Sequence, residues 1–309
     1  MTRAVAHAPR PGHHECEVSP LLLVQIVISG LLLGGVYALV GVGISLIFGV
    51  MKIVNFAHGA LLMLGMYLAF FLFTDAGIHP YLALPVVTAA LFLCGVLIHG
   101  GFLRRVVHRG HNTQIVLTLG IGVILQSAAL MAFGGDYLAV RTEPPFGTAA
   151  FDLGGLALST TRVVAFLVAS VATALVMLFL NRTVTGWAIR ATAQDHRAAA
   201  LMGIPTERMY LLTMGIGSGL AGTAASLLVT AFPVFPDAGF PFLLVAFVVV
   251  VLGGLGSVPG AYVGGLIVGV VEALAGYLVG QSLSQVVVFA LFIATLIYRP
   301  QGIFGGEAT

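Results

Sequence analysis

Long apolar runs separated by short polar breaks fill this chain from about residue 21 onward. The runs are 21–49, 59–73, 81–99, 113–133, 163–180, 209–232, 241–252, 261–279 and 284–298. A helix needs about 20 apolar residues to cross a bilayer, whereas a barrel strand would show roughly ten in strict alternation. The pattern predicts an all-α, polytopic transmembrane bundle of about eight or nine hydrophobic segments, some broken or re-entrant. The run 21–49 is long enough to cross with tilt or to hide a break. The run 241–252 is short for a crossing and ends in GGLGSVPG (253–260), where glycine and proline interrupt a helix.

One polar stretch is long. Residues 182–208, RTVTGWAIRATAQDHRAAALMGIPTER, carry Arg182, Arg190, Arg197 and Arg208 between two apolar runs. Basic loops stay on the cytoplasmic side of a membrane. Arg104, Arg105 and Arg109 put their loop on that side too. The more acidic loop 134–162 then lies outside, with Asp136, Glu143 and Asp152 against Arg141 and Arg162. Continuing the count returns Arg299 to the cytoplasm. The side of the N-terminus stays open: a single crossing by 21–49 puts it outside, and Arg3 and Arg10 argue the other way. The expected division is a flexible tail over 1–20, a transmembrane domain over 21–299 containing loop 182–208, and a short tail over 300–309. The first run is too long for a signal-peptide core and is expected to be retained.

Composition excludes a soluble fold. Mean hydropathy is +1.10 and charged residues make up 8%, against about 25% in soluble domains. The surroundings are lipid bilayer, and nothing points to nucleic acid. The 40 glycines suit close helix contact in lipid. Four rows of small residues spaced by four mark smooth helix faces: Gly30, Gly34 and Ala38; Gly41, Ser45 and Gly49; Gly215, Gly219 and Thr223; Ala261, Gly265, Gly269 and Ala273. Internal packing or a subunit interface would use such rows. Cys16 and Cys94 have no spacing partner for a disulfide or a metal site.

Candidate chemistry is sparse. Lys52 is the single lysine and no GxxxxGK[ST] loop surrounds it, so any ATP must be bound by another subunit. Lys52, Asn55 and His58 stand three apart in MKIVNFAHG, at spacing that would share a helix face. They read either as a gate lining a path or as an interfacial turn with Asn55 capping the next helix. No second ligand stands near His58 for a metal. Gly254, Gly256 and Pro259 form a break able to expose backbone groups in a cavity. Glu272 is the one carboxylate inside an apolar run, as a relay or as a hydrogen-bonded structural group. In the polar loop, Arg190, Gln194 and Arg197 fall at helical spacing, Ala191, Ala198, Ala199 and Leu201 form a small apolar side, and Gly203 and Pro205 end the helix. Such a helix grips a partner or lies on the membrane with Trp187 as anchor.

MKIVNFAHG, GWAIRATAQDHRAAALMGIP, GGLGSVPGAYVGG and YRPQGIFG, in this order, resemble the permease subunits of branched-chain amino acid ABC importers. The resemblance covers nearly the whole chain from about residue 20. It implies a multi-pass protein of the bacterial inner membrane with no catalysis and no cofactor of its own. It also implies a second homologous permease, two ATPase subunits that bind ATP, and an extracytoplasmic solute-binding protein. The coupling loop would map onto Arg190, Gln194, Arg197, Ala199, Gly203 and Ile204. The acidic residue often found before the alanines is Arg197 here, a departure. Asn55 to Gly59 match without departure. The translocation path is expected to involve Asn55, His58, Gly59, Gly254, Gly256, Pro259 and Glu272. Related permeases carry urea and short amides, which leaves the substrate open. A stand-alone ion-coupled carrier is the alternative of a different class.

Overall fold

A computed structural model of the chain describes residues 20–106, 110–140, 150–153 and 156–305. The expected tail to residue 19 with Cys16, the loop residues Arg109, Arg141 and Glu143, and positions 306–309 lie outside the described residues.

The described residues are almost wholly helical. The helices are α1 (Pro20–Met51), α2 (Ala57–Thr74), α3 (Pro80–Gly101), α4 (His111–Phe133), α5 (Thr160–Arg182), α6 (Val184–Gln194), α7 (His196–Leu201), α8 (Thr206–Leu228), α9 (Gly239–Gly253), α10 (Val258–Leu278) and α11 (Gln281–Tyr298). Eight of them are long and apolar enough to cross a membrane, and α9 is a shorter apolar helix. One feature departs from the all-helical expectation. Ala150–Leu153 (β1) pairs antiparallel with Leu156–Ser159 (β2), with Ala150 opposite Ser159 and Leu153 opposite Leu156. The sequence AFDL-GG-LALS carries a Gly-Gly hairpin signal that a scan for apolar runs passes over.

Helix α1 is the mast. Its 32 residues run unbroken, and from Gly34 to Ile47 every residue is buried. It lies antiparallel to α10, with Gly30 against Gly269 and Gly34 against Gly265. A Cβ on Gly34 would stand 2.7 Å from the Gly265 carbonyl oxygen, and one on Gly30 would stand 2.7 Å from that of Gly269. The first and fourth glycine rows therefore face one another inside the bundle. The second row faces Val249 of α9 and Gly256, and the third faces Thr88 and Phe92 of α3. The Thr88 and Thr223 hydroxyls close that contact at 2.9 Å. Among the described residues, each row serves internal packing.

The break after α1 differs from its sequence reading. Lys52 has φ 56, a left-handed backbone that stops the helix. Residues 52–55 are non-helical and Phe56 is a turn. The Asn55 carboxamide oxygen accepts from the Ala57 N–H at 3.1 Å. Lys52, Asn55 and His58 thus share no helix face, because the chain between α1 and α2 is not a helix.

Helix α2 begins inside the bundle. Ala57 lies against Gly122, halfway along α4, and His58 lies against Gly43 of α1. Helix α9 begins inside too. Its 15 residues reach only about 22 Å, short of a hydrocarbon core of about 30 Å. Gly239 at its start packs backbone to backbone on Gly59. The re-entrant segment is therefore 229–238, whereas the GGLGSVPG break is a tight turn between α9 and α10. Gly253 meets Gly260 there with no room for a side chain, and the Ser257 hydroxyl caps α10 by accepting from the Gly260 N–H at 3.1 Å. The C-terminal segment finishes this turn. Ile303 N–H donates to the Leu252 carbonyl at 2.8 Å and Phe304 N–H to that of Gly253 at 3.1 Å, satisfying the open end of α9.

The start of α1 and β2 share one face, where the Gln25 amide donates to the Ala157 carbonyl. The opposite face gathers the end of α1, α6 and the α9–α10 turn, since Gly49, Ile189 and Gly256 line one crevice. This places the start of α1 on the side opposite the polar segment 182–208. An unbroken α1 removes the option of a hidden break in 21–49.

Replacing Gly34 or Gly265 with leucine should destabilise the protein in detergent by about 1–3 kcal/mol or more, read as a lowered thermal unfolding midpoint. Gly120 of α4 has nothing within 4 Å of a built Cβ, and Gly120→Ala should leave that midpoint unchanged or slightly raised.

Candidate functional site

Two helix N-termini meet head to head in the bundle. From this point α2 runs toward the face bearing the hairpin, and α9 runs toward the face bearing α6. A Cβ on Gly59 would stand 2.8 Å from the Gly239 carbonyl oxygen and 2.9 Å from the Leu243 Cβ, so glycine is required for the approach. The first N–H groups of a helix lack intrahelical partners and carry partial positive charge. Neither end is capped by its preceding side chain, Phe56 or Ala238.

Beside the junction lies a cavity of about 120 Å³. Its apolar wall includes Met63, Leu119, Val123 and Leu243. Two polar side chains line its open rim, half-buried Gln126 from α4 and exposed Asp237 from the re-entrant segment. They are joined by the Gln126 amide donating to an Asp237 carboxylate oxygen at 3.0 Å. Over the cavity, residues 134–140 pair with the re-entrant segment. Leu138 and Val234 exchange backbone hydrogen bonds of 2.9 and 2.7 Å, and the Tyr137 and Phe235 rings stand 4.6 Å apart. The loop expected from sequence to lie outside is thus tied to the re-entrant segment.

The seven path residues expected from the sequence do not form one group. Gly59 lines the central cavity. Asn55 and His58 are 1% and 0% exposed and sit just below it. The Asn55 amide faces Met214 Sδ at 3.7 Å, and the His58 ring seats against α1 at Gly43. Gly254 and Gly256 belong to the α9–α10 turn, and Pro259 stands in the first turn of α10. Gly254 and Gly256 adopt φ 101 and 87, and their backbones pack on Gly305 and Gly49. Glu272 lies in a separate cavity of about 290 Å³ near the opposite face, with Gln25, Ser29, Arg162 and Gln281. Its carboxylate neighbours the Tyr37 hydroxyl.

The polar segment is two helices rather than one. Asp195 has φ −150 and ψ 106, which ends α6 and starts α7. Its carboxylate accepts from the Arg197 N–H at 2.8 Å and the Ala198 N–H at 3.1 Å. Those bonds, Ala198 first and Arg197 next, hold the carboxyl below the usual carboxylate range. Arg190 and Gln194 lie on α6 and Arg197 on α7, so the three share no helical face. The break comes from aspartate's preference for the capping position. Gly203 at φ 81 closes α7, with Gly203 N–H donating to Ala200 and Ile204 N–H to Ala199. Open space surrounds Gly203, so only the backbone demands glycine there. Ala199 is buried toward the bundle, whereas Leu201 and Met202 are 90% and 82% exposed. The Trp187 indole donates to the Asn181 carbonyl at 2.8 Å.

Gln126, Asp237 and Met202 are site residues that sequence reasoning did not single out. A glutamine in the middle of the apolar run 113–133, well inside Gln114 at its start, was the available signal for the first. Asp237 read as one more loop acid, because the re-entrant course of 229–238 is set by packing. Met202 looked like part of the helix end.

Residues 26–296 match the family described as Branched-chain amino acid transport system / permease component. The chain is 34% identical to the high-affinity branched-chain amino acid transport system permease protein BraD of Pseudomonas aeruginosa, over 91% of this chain and 95% of that one. It is 31% identical to the corresponding permease protein LivH of Escherichia coli, over 92% of this chain and 96% of that one. Against the permease protein LivM of the same bacterium, identity is 25% over 87% of this chain and 67% of that one. Eight apolar helices of spanning length fit the multi-pass membrane proteins that these names describe. The chain belongs to the branched-chain amino acid transport permease family.

Proposed function

We propose that this chain is the permease subunit of an ATP-binding cassette importer in a bacterial inner membrane, passing amino acids of the branched-chain class. Its partners in this reading are a second, homologous permease, two ATPase subunits and an extracytoplasmic solute-binding protein. No ATP site is needed in the chain, and its single lysine stands at a helix break.

The observation that carries the reading is the α6–Asp195–α7 unit. It presents two large apolar side chains, Leu201 and Met202, from a capped and rigid support. Exposed apolar side chains on such a support are suited to a partner's pocket. The unit also stands across a crevice from what it would have to move. Ile189, Arg190 and Ala193 of α6 line a crevice of about 230 Å³ with Gly256 of the α9–α10 turn and Pro259 of α10. A push on α6 that closes this crevice would bear on the α9–α10 turn and, through it, on α9, whose other end borders the central cavity. This chain supplies a path and a lever and forms no covalent intermediate.

A stand-alone carrier would couple an ion to the path through a buried carboxylate. Glu272 is not in the central cavity, which counts against that reading.

Replacing Leu201 and Met202 together with aspartate should lower ATPase co-purification and cut uptake in reconstituted vesicles by at least about tenfold, as for loss of two apolar anchors. Wild-type uptake would refute the docking role. Asp195→Ala should loosen α7, read as faster amide exchange at Arg197 and Ala198, while Asp195→Asn should retain the cap. The folded carboxyl titrates below its unfolded value, so the cap acts above the ordinary carboxylate range and is lost as pH falls through the lowered value. The wild type should therefore loosen on acidification and the asparagine variant should not, with each exchange rate corrected for its intrinsic pH dependence.

A further inference from the structure

The outward face of α7 couples an apolar side chain to a charge. Arg197 and Leu201 stand four residues apart, so they are neighbours on one face of the helix. Ala199, two residues from each, is buried toward the bundle, which turns that face away from it. Ala198 and Ala200 flank the face and are exposed. Their methyl groups leave Arg197 and Leu201 as the two side chains that reach out.

The Arg197 guanidinium belongs to neither ion pair formed among the described residues, both of which involve Glu207. The nearest acid in sequence, Asp195, turns a carboxylate oxygen to the Arg197 and Ala198 N–H groups and so caps α7. Other arginines on this side are tied to their own chain. Arg190 donates to the Asn181 carboxamide oxygen at 3.0 Å, and Arg105 donates to the Gly101 carbonyl at 2.8 Å. Membrane topology asks for basic residues on the cytoplasmic side and is served by any of them. It does not ask for one on the same helix face as an apolar anchor.

That placement restricts what can dock. Leu201 cannot enter a partner's pocket without carrying Arg197 into the same interface. A guanidinium stripped of water is costly unless an anion meets it, and a carboxylate does so with two parallel hydrogen bonds. A basic surface at that point would repel the helix.

We propose that the ATPase subunit seated on α7 presents a carboxylate beside the apolar pocket that takes Leu201, and that this acid and Arg197 orient the two subunits. This rests on the reading of α6–Asp195–α7 as the docking unit and adds the chemistry of the surface that receives it.

The test uses the whole transporter, purified through a tag on this chain and reconstituted in vesicles with its binding protein. Lys52 is the single lysine of the chain, so Arg197→Lys places one new amine on α7. A water-soluble carbodiimide joins an amine to a carboxylate only where the two are in contact. It should link residue 197 of this variant to an aspartate or glutamate of the ATPase subunit, mapped by mass spectrometry of the cross-linked peptides. Arg197→Glu should fold, because an acid is favoured in the first turn of a helix. It should nevertheless lose at least about tenfold in uptake and shed the ATPase subunits at lower salt than the wild type. Arg105→Glu makes the same change of charge on the same side, away from α7, and should keep both. An Arg197→Glu transporter that holds its ATPase subunits and takes up leucine at the wild-type level overturns the acidic partner. So does the absence of the link in an Arg197→Lys transporter that stays assembled and active. If the Leu201 and Met202 double variant meanwhile loses ATPase and uptake, docking by α7 stands without the charge pair. If that variant also behaves as wild type, the docking reading falls with it.

Discussion

Helix starts cannot be left bare in a membrane. The first N–H groups of a helix have no partners, and lipid offers none. Helices α2 and α9 both start inside this bundle, so their ends must be enclosed by protein. The rest of the architecture follows from that requirement. Gly59 and Gly239 bring the two starts together, Asn55 accepts the first N–H of α2, and α4 closes the side with Gly122 and Gln126. The mast α1 makes the enclosure rigid, because glycine contacts with α10 hold it too tightly for a lipid chain to enter.

The same construction divides the molecule into two working ends. Toward one face, the re-entrant segment is tied to residues 134–140 through Leu138 and Val234. Toward the other, α9 ends in a turn completed by the C-terminal segment and flanked by α6. The motifs GGLGSVPG and RPQGIFG lie far apart in sequence and form one joint. Gly302, at φ 76, approaches the Gly254 backbone there with no space for a side chain. A rigid α9 connects this joint to the central cavity over about 22 Å. In this account displacement at the exposed tip of α7 closes the crevice between α6 and the joint and passes from there along α9.

Much of this was legible in the residues. Apolar runs located every spanning helix to within a few positions, since burial in lipid demands continuous apolar length. Basic loops ordered the faces, and glycine rows at four-residue spacing marked helix contacts. Three features were not legible. The hairpin is signalled by two glycines rather than by an apolar run. The Asp195 break depends on a cap in an otherwise helix-compatible segment. The re-entrant course of 229–238 follows from the shortness of α9 and its contact with α2, which no local pattern around Asp237 announces. For the same reason Gly254, Gly256 and Pro259 looked like a path, although glycine and proline serve a tight turn equally well. Arg197, the departure from the family pattern, lies exposed on α7 beside the Asp195 cap, and nothing within this chain accounts for the change.

The central claim is that solute passes through the chamber where α2 and α9 begin. It can be tested by bridging that chamber. With Cys16 and Cys94 replaced by serine, Val123→Cys on α4 and Phe240→Cys on α9 place thiols in two of its walls. A short bifunctional, reducible thiol cross-linker joining them in the reconstituted transporter should abolish uptake, and reduction should restore it. Uptake at the unmodified rate while the bridge is intact would contradict the account.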